Sequence, residues 1–186
     1  MVRNTGLTIE YKPIEKIGEN FYKIRWDIQP VVERLSTINE ETGEHEFTGE
    51  TRETPFSTWM SENVHYKPNI LWVRDTITNW YNAQIDAAIL KGFVWKGMHI
   101  WLSTENQFNY KAAYDLAVQT QGATLPVKFK FGTTENPVYY TFETVEDLSD
   151  FYMSAMNFIN TQLNEGWIKK DSIDWNQYII EEDDNN

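Results

Sequence analysis

Alternating apolar and polar positions predict β-strands in the first third of the chain. Residues 7–11 alternate before Pro13, and residues 21–28 keep a period of two over eight positions. Pro30 is expected to end this second strand or to lie at a sheet edge, with residues 31–35 continuing the sheet after it. These patterns indicate that residues 6–65 are mainly strands.

The segment after these strands is polar, acidic and contains glycine. Residues 36–55 are interpreted as a solvated hairpin or a long loop, with a turn near Thr42-Gly43. Residues 56–66 are expected to supply one more strand, in which Phe56, Thr58 and Met60 share a face.

The hydrophobic period then changes from two to that of a helix. Apolar residues recur at steps of three and four between Pro68 and Gly92, which predicts a helix over about residues 68–91. Proline suits the first helical turn, glycine suits the C-terminal stop, and Lys91 lies near the negative end of the helix dipole.

A hairpin and a helix are predicted to follow. Residues 93–95 and 98–102 flank the two-residue turn Lys96-Gly97. Thr104-x-x-Gln107 matches a capping box and predicts the start of a helix that continues to about Gln119 and ends at Gly122.

The same order is then repeated with a different sequence. Residues 125–131 and 138–142 are predicted as paired strands, and Thr144-x-x-Asp147 is predicted to cap a helix that Gly166 ends. Two helices that each follow a hairpin are consistent with both covering one face of a sheet, an α+β layer.

These elements predict an α+β protein with three parts. Residues 1–66 form an N-terminal antiparallel β region, residues 67–170 an α+β domain, and residues 171–186 a C-terminal arm with an acidic tail. The apolar segment near residue 178 is either a strand folded back on its own domain or an arm that docks on a neighbouring subunit. The final EEDDNN is predicted to be a solvated tail.

Composition narrows the partners that the chain can bind. The formal net charge is −12, which opposes nonspecific binding to nucleic acid and adsorption to an anionic membrane. The 28 aromatic residues suit a large core, with some left for a sticky interface or a sugar platform. No secretory signal and no stretch long enough to span a membrane is expected.

Motifs for catalysis, cofactors and metals are not found in the sequence. It has no cysteine, no glycine-rich phosphate loop and no G-x-S-x-G, and His45, His65 and His99 are far apart along the chain. The interpretation is a protein that is not an enzyme and binds no cofactor or metal. A hydrolase using two of the many carboxylates is the weakest alternative.

Exposed aromatic and aliphatic residues outside residues 91–170 are the candidate partner contacts, because Trp and Tyr dominate interface energetics. The candidates are Trp26, Trp59, Trp175, Tyr178, Ile179 and Ile180. The alternative from another class is a glycan-binding module of a host-recognition assembly. Its sugar-stacking rings would be Trp26, Trp59, Trp95 and Trp101.

Residues 91–170 resemble a family of unknown function found in tailed bacteriophages and prophages, often beside or within tail-fibre and tail-fibre-assembly proteins. The resemblance rests on G-F-x-W-K-G at residues 92–97, Asn106-Gln107, Pro126 entering a strand, Thr144-x-x-Asp147-Leu148, and the apolar helix after it. The aromatic-rich, cysteine-free composition also resembles virion proteins of crAss-like gut phages.

The resemblance implies a structural protein of the phage tail region: a ring, baseplate or fibre-adaptor subunit. Its expected partners are other virion proteins (tail hub, ring or fibre) and further copies of itself, with no nucleic acid and no membrane. Its expected location is the virion tail, assembled in the cytoplasm of the bacterial host. The resemblance carries over no catalytic residue.

Overall fold

The computed structural model describes residues 1–39 and 42–180, and it confirms the α+β class. The chain forms two compact units. Of the described residues, the first unit contains 1–39, 42–77 and 174–180, and the second contains 78–173. None of the described helices is long and apolar enough to cross a membrane.

The first unit contains an antiparallel four-stranded sheet with the order β1-β4-β3-β2. Two of its strands are much longer than the others, with 18 residues in β3 and 20 in β4. The strands are β1 (Val2–Leu7), β2 (Ile14–Gly18), β3 (Phe21–Ile38) and β4 (His45–Val64).

Alternation in β3 and β4 builds the core of this unit. Tyr22, Ile24 and Trp26 of β3 are buried, while the residues between them are partly exposed. On β4 the buried face carries Ser57, Trp59 and Ser61, so the face predicted for Phe56, Thr58 and Met60 is the less buried one. Period-two burial therefore follows the sequence pattern.

The polar segment over residues 36–55 is a hairpin, so the long-loop alternative is wrong. The backbone amide of Asn39 donates to the Glu44 carbonyl oxygen at 2.9 Å, and that of Gly43 donates to the Asn39 carbonyl oxygen at 2.8 Å. Pro30 lies inside β3 opposite Ser57, beside a register shift, so the prediction that it ends the strand is wrong. Among the described strands, β3 pairs only with β4 at this position, which confirms the alternative of an edge position.

Helix α1 (Ile70–Gly92) begins in the first unit and ends in the second. Asn69 caps its start, because the Asn69 side-chain oxygen accepts a hydrogen bond from the Trp72 amide at 2.8 Å. The helix therefore starts two residues later than Pro68. It ends at Gly92, close to the predicted end.

The second unit begins with the predicted hairpin, β5 (Phe93–Trp95) and β6 (Met98–Ile100). Lys96 and Gly97 both have positive φ, 46° and 76°, as a tight two-residue turn requires. Helix α2 (Thr104–Gln119) follows. Its N-cap is Ser103, which accepts from the Asn106 amide at 3.2 Å, so the predicted Thr104 cap is wrong by one residue.

A second hairpin and the longest helix complete this unit: β7 (Val127–Gly132), β8 (Pro137–Phe142) and α3 (Val145–Asp171). Thr144 caps α3 as predicted, accepting from the Asp147 amide at 3.2 Å. Gly166 does not end α3. It is buried inside the helix, and a Cβ at this position would collide with the Ile85 side chain of α1. Glycine here permits close packing of two helices.

The two hairpins form separate two-stranded sheets rather than the single sheet that the sequence suggested. They share one hydrophobic core with α2, α3 and the second half of α1. Aromatic rings in edge-on and tilted contact fill this core, as between Phe131 and Phe151, whose centroids are 5.2 Å apart.

The segment after α3 returns to the first unit. Residues Trp175–Tyr178 form a 3₁₀ turn rather than a strand, and the Tyr178 hydroxyl donates to the Arg25 carbonyl oxygen at 2.8 Å. The alternative of a strand folded back is therefore wrong, although the segment does pack on its own chain. The predicted acidic tail, residues 181–186, lies outside the described residues.

Candidate functional site

Three of the six predicted partner residues belong to the core of the first unit. Trp26 is 1% exposed, and Trp59 and Tyr178 are also buried. The expectation that these rings are exposed contacts is corrected, because all three are buried.

The other three predicted partner residues lie at the surface. Ile179 is exposed, while Trp175 and Ile180 are half-buried. The Arg74 guanidinium lies 5.4 Å from the centroid of the Trp175 ring, a cation–π distance within one unit. A partner-binding role for these three residues stays a prediction.

The most exposed regular element is the outer part of the β3–β4 hairpin. Strand β1 pairs with β4 only over residues 56–61, and β2 pairs with β3 only up to Ile24. Residues 31–38 and 45–55 therefore pair only with each other, and none of them is buried. We call these residues the β-ribbon. At about 3.3 Å per residue its strands extend about 25 Å.

Two threonines bridge the places where the β-ribbon loses its regular register. Between the pairs Pro30–Ser57 and Val32–Glu53, the Thr54 hydroxyl donates to the Val31 carbonyl oxygen at 2.7 Å. The second irregularity has the same arrangement, in which the Thr48 hydroxyl donates to the Leu35 carbonyl oxygen at 3.2 Å.

Each of these threonines also accepts a hydrogen bond from the amide two residues further along, that of Phe56 for Thr54 and that of Glu50 for Thr48. The two hydroxyls thus replace ladder bonds that the register shifts remove. The β-ribbon is kept in shape by local polar contacts rather than by a core.

The end of the β-ribbon combines apolar side chains with negative charge. The register pairs Ser36 with Phe47 and Ile38 with His45, which places these four side chains on one face. Phe47 is 69% exposed and Ile38 is 62% exposed. Residues 31–55 contain seven Glu and two Arg. Such a surface is complementary to a partner whose binding site has apolar side chains and positive charge.

The second unit carries an open groove of about 560 Å³ on the side of β6 and the β7–β8 turn. We call it the Trp101 groove, after a residue of its lining that is 49% exposed. Its lining includes Lys91, His99, Trp101, Lys130, Thr134 and Glu135.

Positive charge exceeds negative charge in the Trp101 groove, although the protein as a whole is acidic. Lys91 comes from the end of α1 and Lys130 from β7, and both are exposed. Within the described residues, neither lysine is in an ion pair. Glu135 is the one carboxylate in the lining, so the groove does not provide the acid pair that a two-carboxylate hydrolase needs.

A second polar cluster joins the turn of the first hairpin to the start of α3. Lys96 Nζ lies 2.6 Å from Asp147 Oδ1 and 3.2 Å from the Tyr140 hydroxyl, which itself donates to Asp147 Oδ2 at 2.8 Å. The ammonium also lies 4.3 Å from the centroid of the Trp95 ring.

The hydrogen bonds of this cluster favour the charged forms of both Lys96 and Asp147. The hydrogen bond from Lys96 to Asp147 raises the lysine pKa. Burial opposes ionisation of Asp147, but hydrogen bonds from Lys96 and Tyr140 outweigh it and lower the pKa of that carboxyl. Both shifts move the pKa values away from neutrality, whereas a general acid or base needs a pKa near the working pH. We therefore interpret the cluster as a structural contact that holds the β5–β6 turn against the start of α3.

The three histidines occupy unrelated surroundings. His45 Nδ1 lies 3.3 Å from Ser36 Oγ in the β-ribbon, the His65 ring stacks on Phe21, and His99 lines the Trp101 groove. Across residues 1–39 and 42–180, no three His, Asp or Glu side chains are placed to hold a metal ion.

Comparison with known proteins finds no matching family model, no similar curated protein and no similar solved structure. The resemblance of residues 91–170 to the phage family thus stays an expectation from the motifs themselves.

Sequence reasoning missed both the length of the β-ribbon and the Trp101 groove. The sequence did contain an indication of the longer strands, because Thr48 and Thr54 lie in a polar segment that is flanked by Phe47 and Phe56. The groove has no comparable signal, because its lining comes from three distant segments, near residues 91, 100 and 132.

Proposed function

We propose that this chain is a structural protein of a bacteriophage virion, acting in the tail region as a ring, baseplate or fibre-adaptor subunit through protein–protein contacts. The observation that carries this proposal is the β-ribbon. It projects two paired strands with open edges, exposed Ile38 and Phe47, and no buried residue.

A two-stranded element of this kind gains little stability by itself. An isolated two-stranded hairpin is marginally stable in water, and open strand edges promote pairing with other chains. A β-ribbon with an acidic, partly apolar surface is therefore best explained by a partner that covers it in an assembly. The resemblance of residues 91–170 supplies the phage setting.

The test has two parts. Mass spectrometry of purified phage particles from the producing host should find this chain in stoichiometric amount. A variant in which an Asn-Gly turn replaces residues 31–55 should keep the circular dichroism of a folded protein but fail to enter particles. As control, Asn164→Ala, on the exposed side of α3 and outside the predicted contacts, should enter particles as the native chain does. Absence of the chain from particles would contradict the proposal.

One observation favours a second function, glycan binding. Trp101 presents an exposed ring beside Lys91, His99 and Thr134 in a groove, which is an arrangement that can stack a sugar and bond its hydroxyls. Trp26, Trp59 and Trp95, the other rings expected to bind sugar, are buried. Titration with host polysaccharides should quench Trp fluorescence in the native chain but not in Trp101→Ala, if this function holds.

A further inference from the structure

We infer that the end of the β-ribbon of one copy docks in the Trp101 groove of a second copy, which joins copies head to tail. The inference rests on the proposed function and names the contact that it would use. A heterologous contact of this kind generates a ring or a filament, depending on whether the rotation between copies closes.

Charge complementarity selects a second copy as the occupant. Residues 31–55 contain five more acidic than basic residues, and the acids Glu44 and Glu50 are exposed near the end of the β-ribbon. Neither side chain makes a hydrogen bond or ion pair with another described side chain. Lys91 and Lys130 of the groove are likewise outside every ion pair of the described residues. Opposite charges placed in this way steer and orient association.

The apolar parts of the two surfaces also match. Phe47 and Ile38 stand on one face at the end of the β-ribbon, and Trp101 offers an exposed ring within the groove. Pockets of about 300–1,000 Å³ take drug-sized ligands, so a groove of about 560 Å³ has room for the few side chains at a turn. Aromatic anchors inside a charged rim are typical of interface hot spots.

Charge reversal tests the contact directly on the full chain. The ribbon variant is Glu44→Lys/Glu50→Lys, and the groove variant is Lys91→Glu/Lys130→Glu. Analytical ultracentrifugation of the native chain should show species larger than the 22.0 kDa monomer. Each variant alone should associate at least tenfold more weakly. A mixture of the two should recover pairs, since the ribbon variant keeps a native groove and the groove variant keeps a native ribbon.

A fourfold variant with both reversals should again self-associate, because the charges are complementary in the opposite sense. Association of the native chain should weaken at least tenfold between low and high salt, as expected for exposed charges. Thermal unfolding of each variant checks that the fold is kept. Phe47→Ala provides a second, uncharged variant, which should also weaken association.

Because the chain has no cysteine, single-cysteine variants report the geometry without background. A mixture of Thr42→Cys, in the ribbon turn, and Thr134→Cys, in the groove, should form a disulfide-linked dimer under mild oxidation. A mixture of Thr42→Cys and Asn164→Cys, on the exposed side of α3, should not.

Three outcomes would overturn the inference. They are a native chain that stays monomeric, a groove variant that associates as the native chain does, and a groove variant that loses only quenching by a polysaccharide, which would make the groove a sugar site. None of these decides whether the chain enters particles. Conversely, a chain that assembles through this contact but is absent from particles would contradict the proposed function alone.

Discussion

Strands β3 and β4 form one continuous hairpin, yet its two ends have different surroundings. Near β1 and β2, every second residue is buried, including Ile24, Trp26 and Trp59. Beyond Pro30 the same two strands continue as the β-ribbon without a buried residue. Both parts of the hairpin thus have hydrogen-bonded strand pairs, but only the part near β1 and β2 has side chains buried in a hydrophobic core.

The difference shows that pairing and burial are separate conditions for a strand. In the buried part, apolar surface removed from water stabilises the sheet. In the β-ribbon, hydroxyl bonds from Thr48 and Thr54 and the hydrogen bond from Arg52 Nε to Glu33 Oε1, at 2.6 Å, act instead. Such exposed contacts contribute little each, so the β-ribbon is expected to open more readily than the rest of its hairpin.

The largest effect is expected from removing the ring at the centre of the buried part. Trp26→Ala should lower the free energy of unfolding of the first unit by about 3–5 kcal/mol, because it leaves a cavity in a packed core. Phe47→Ala, an aromatic deletion in the β-ribbon, should change it by less than about 0.5 kcal/mol. Guanidinium unfolding followed by circular dichroism measures both. Equal losses would abolish the distinction between the two parts.

The second test concerns a buried contact in the second unit, that between Gly166 of α3 and the Ile85 side chain of α1. Gly166→Ala should destabilise by about 1–3 kcal/mol, because the new methyl group meets the Ile85 side chain. Thermal unfolding measures the loss. In an Ile85→Ala background, Gly166→Ala should cost much less. If the cost is the same in both backgrounds, the close approach of α1 and α3 is not its cause.

The hydroxyl bridges of the β-ribbon give the third test. Thr48→Val/Thr54→Val should lower the free energy of local opening by about 1 kcal/mol for each bridge, about a fivefold loss of amide protection. Hydrogen exchange over residues 31–38 measures it. Thr51→Val, in the same strand without a side-chain bridge, is the matched control. Reduced protection at Trp26 as well would mean that the two parts open together.

The smallest effect on the free energy of unfolding is expected for an ion pair between β2 and β3, in the part of the sheet that has a core. Arg25 Nη2 lies 2.7 Å from Glu15 Oε2, and this hydrogen bond lowers the pKa of the Glu15 carboxyl from its ordinary value. A carboxyl with a lowered pKa stabilises the fold above its unfolded pKa, and that contribution is lost as pH falls through the folded pKa.

Glu15→Gln should therefore cost less than about 1 kcal/mol at pH 7, since the pair is partly exposed. The difference from the native chain should shrink as pH falls below the ordinary pKa of a glutamate and vanish once the pH is below the lowered pKa of Glu15. Urea unfolding as a function of pH measures it. Glu33→Gln, which breaks the ion pair with Arg52 in the β-ribbon, should leave the acid limb of the first unit unchanged.

Local patterns predicted much of this fold. The helical period located α1, α2 and α3, the tight turn at Lys96-Gly97 was confirmed, and Thr144 caps α3 as expected. These features depend on residues within about four positions of each other. The Ser103 cap was missed because Ser103 and Thr104 are adjacent and either suits an N-cap.

The sequence by itself determined the α+β class, the alternation of strands and helices, and the acidic character of residues 31–55. Only the tertiary structure decided that Trp26, Trp59 and Tyr178 are core, that Gly166 lies inside a helix, and that Lys91 and Lys130 share a groove. Secondary structure follows from short-range periodicity, whereas burial depends on which distant segments meet. The β-ribbon shows this most directly: the sequence left residues 36–55 as either a hairpin or a long loop, and the tertiary structure decided how far its strands extend without a core.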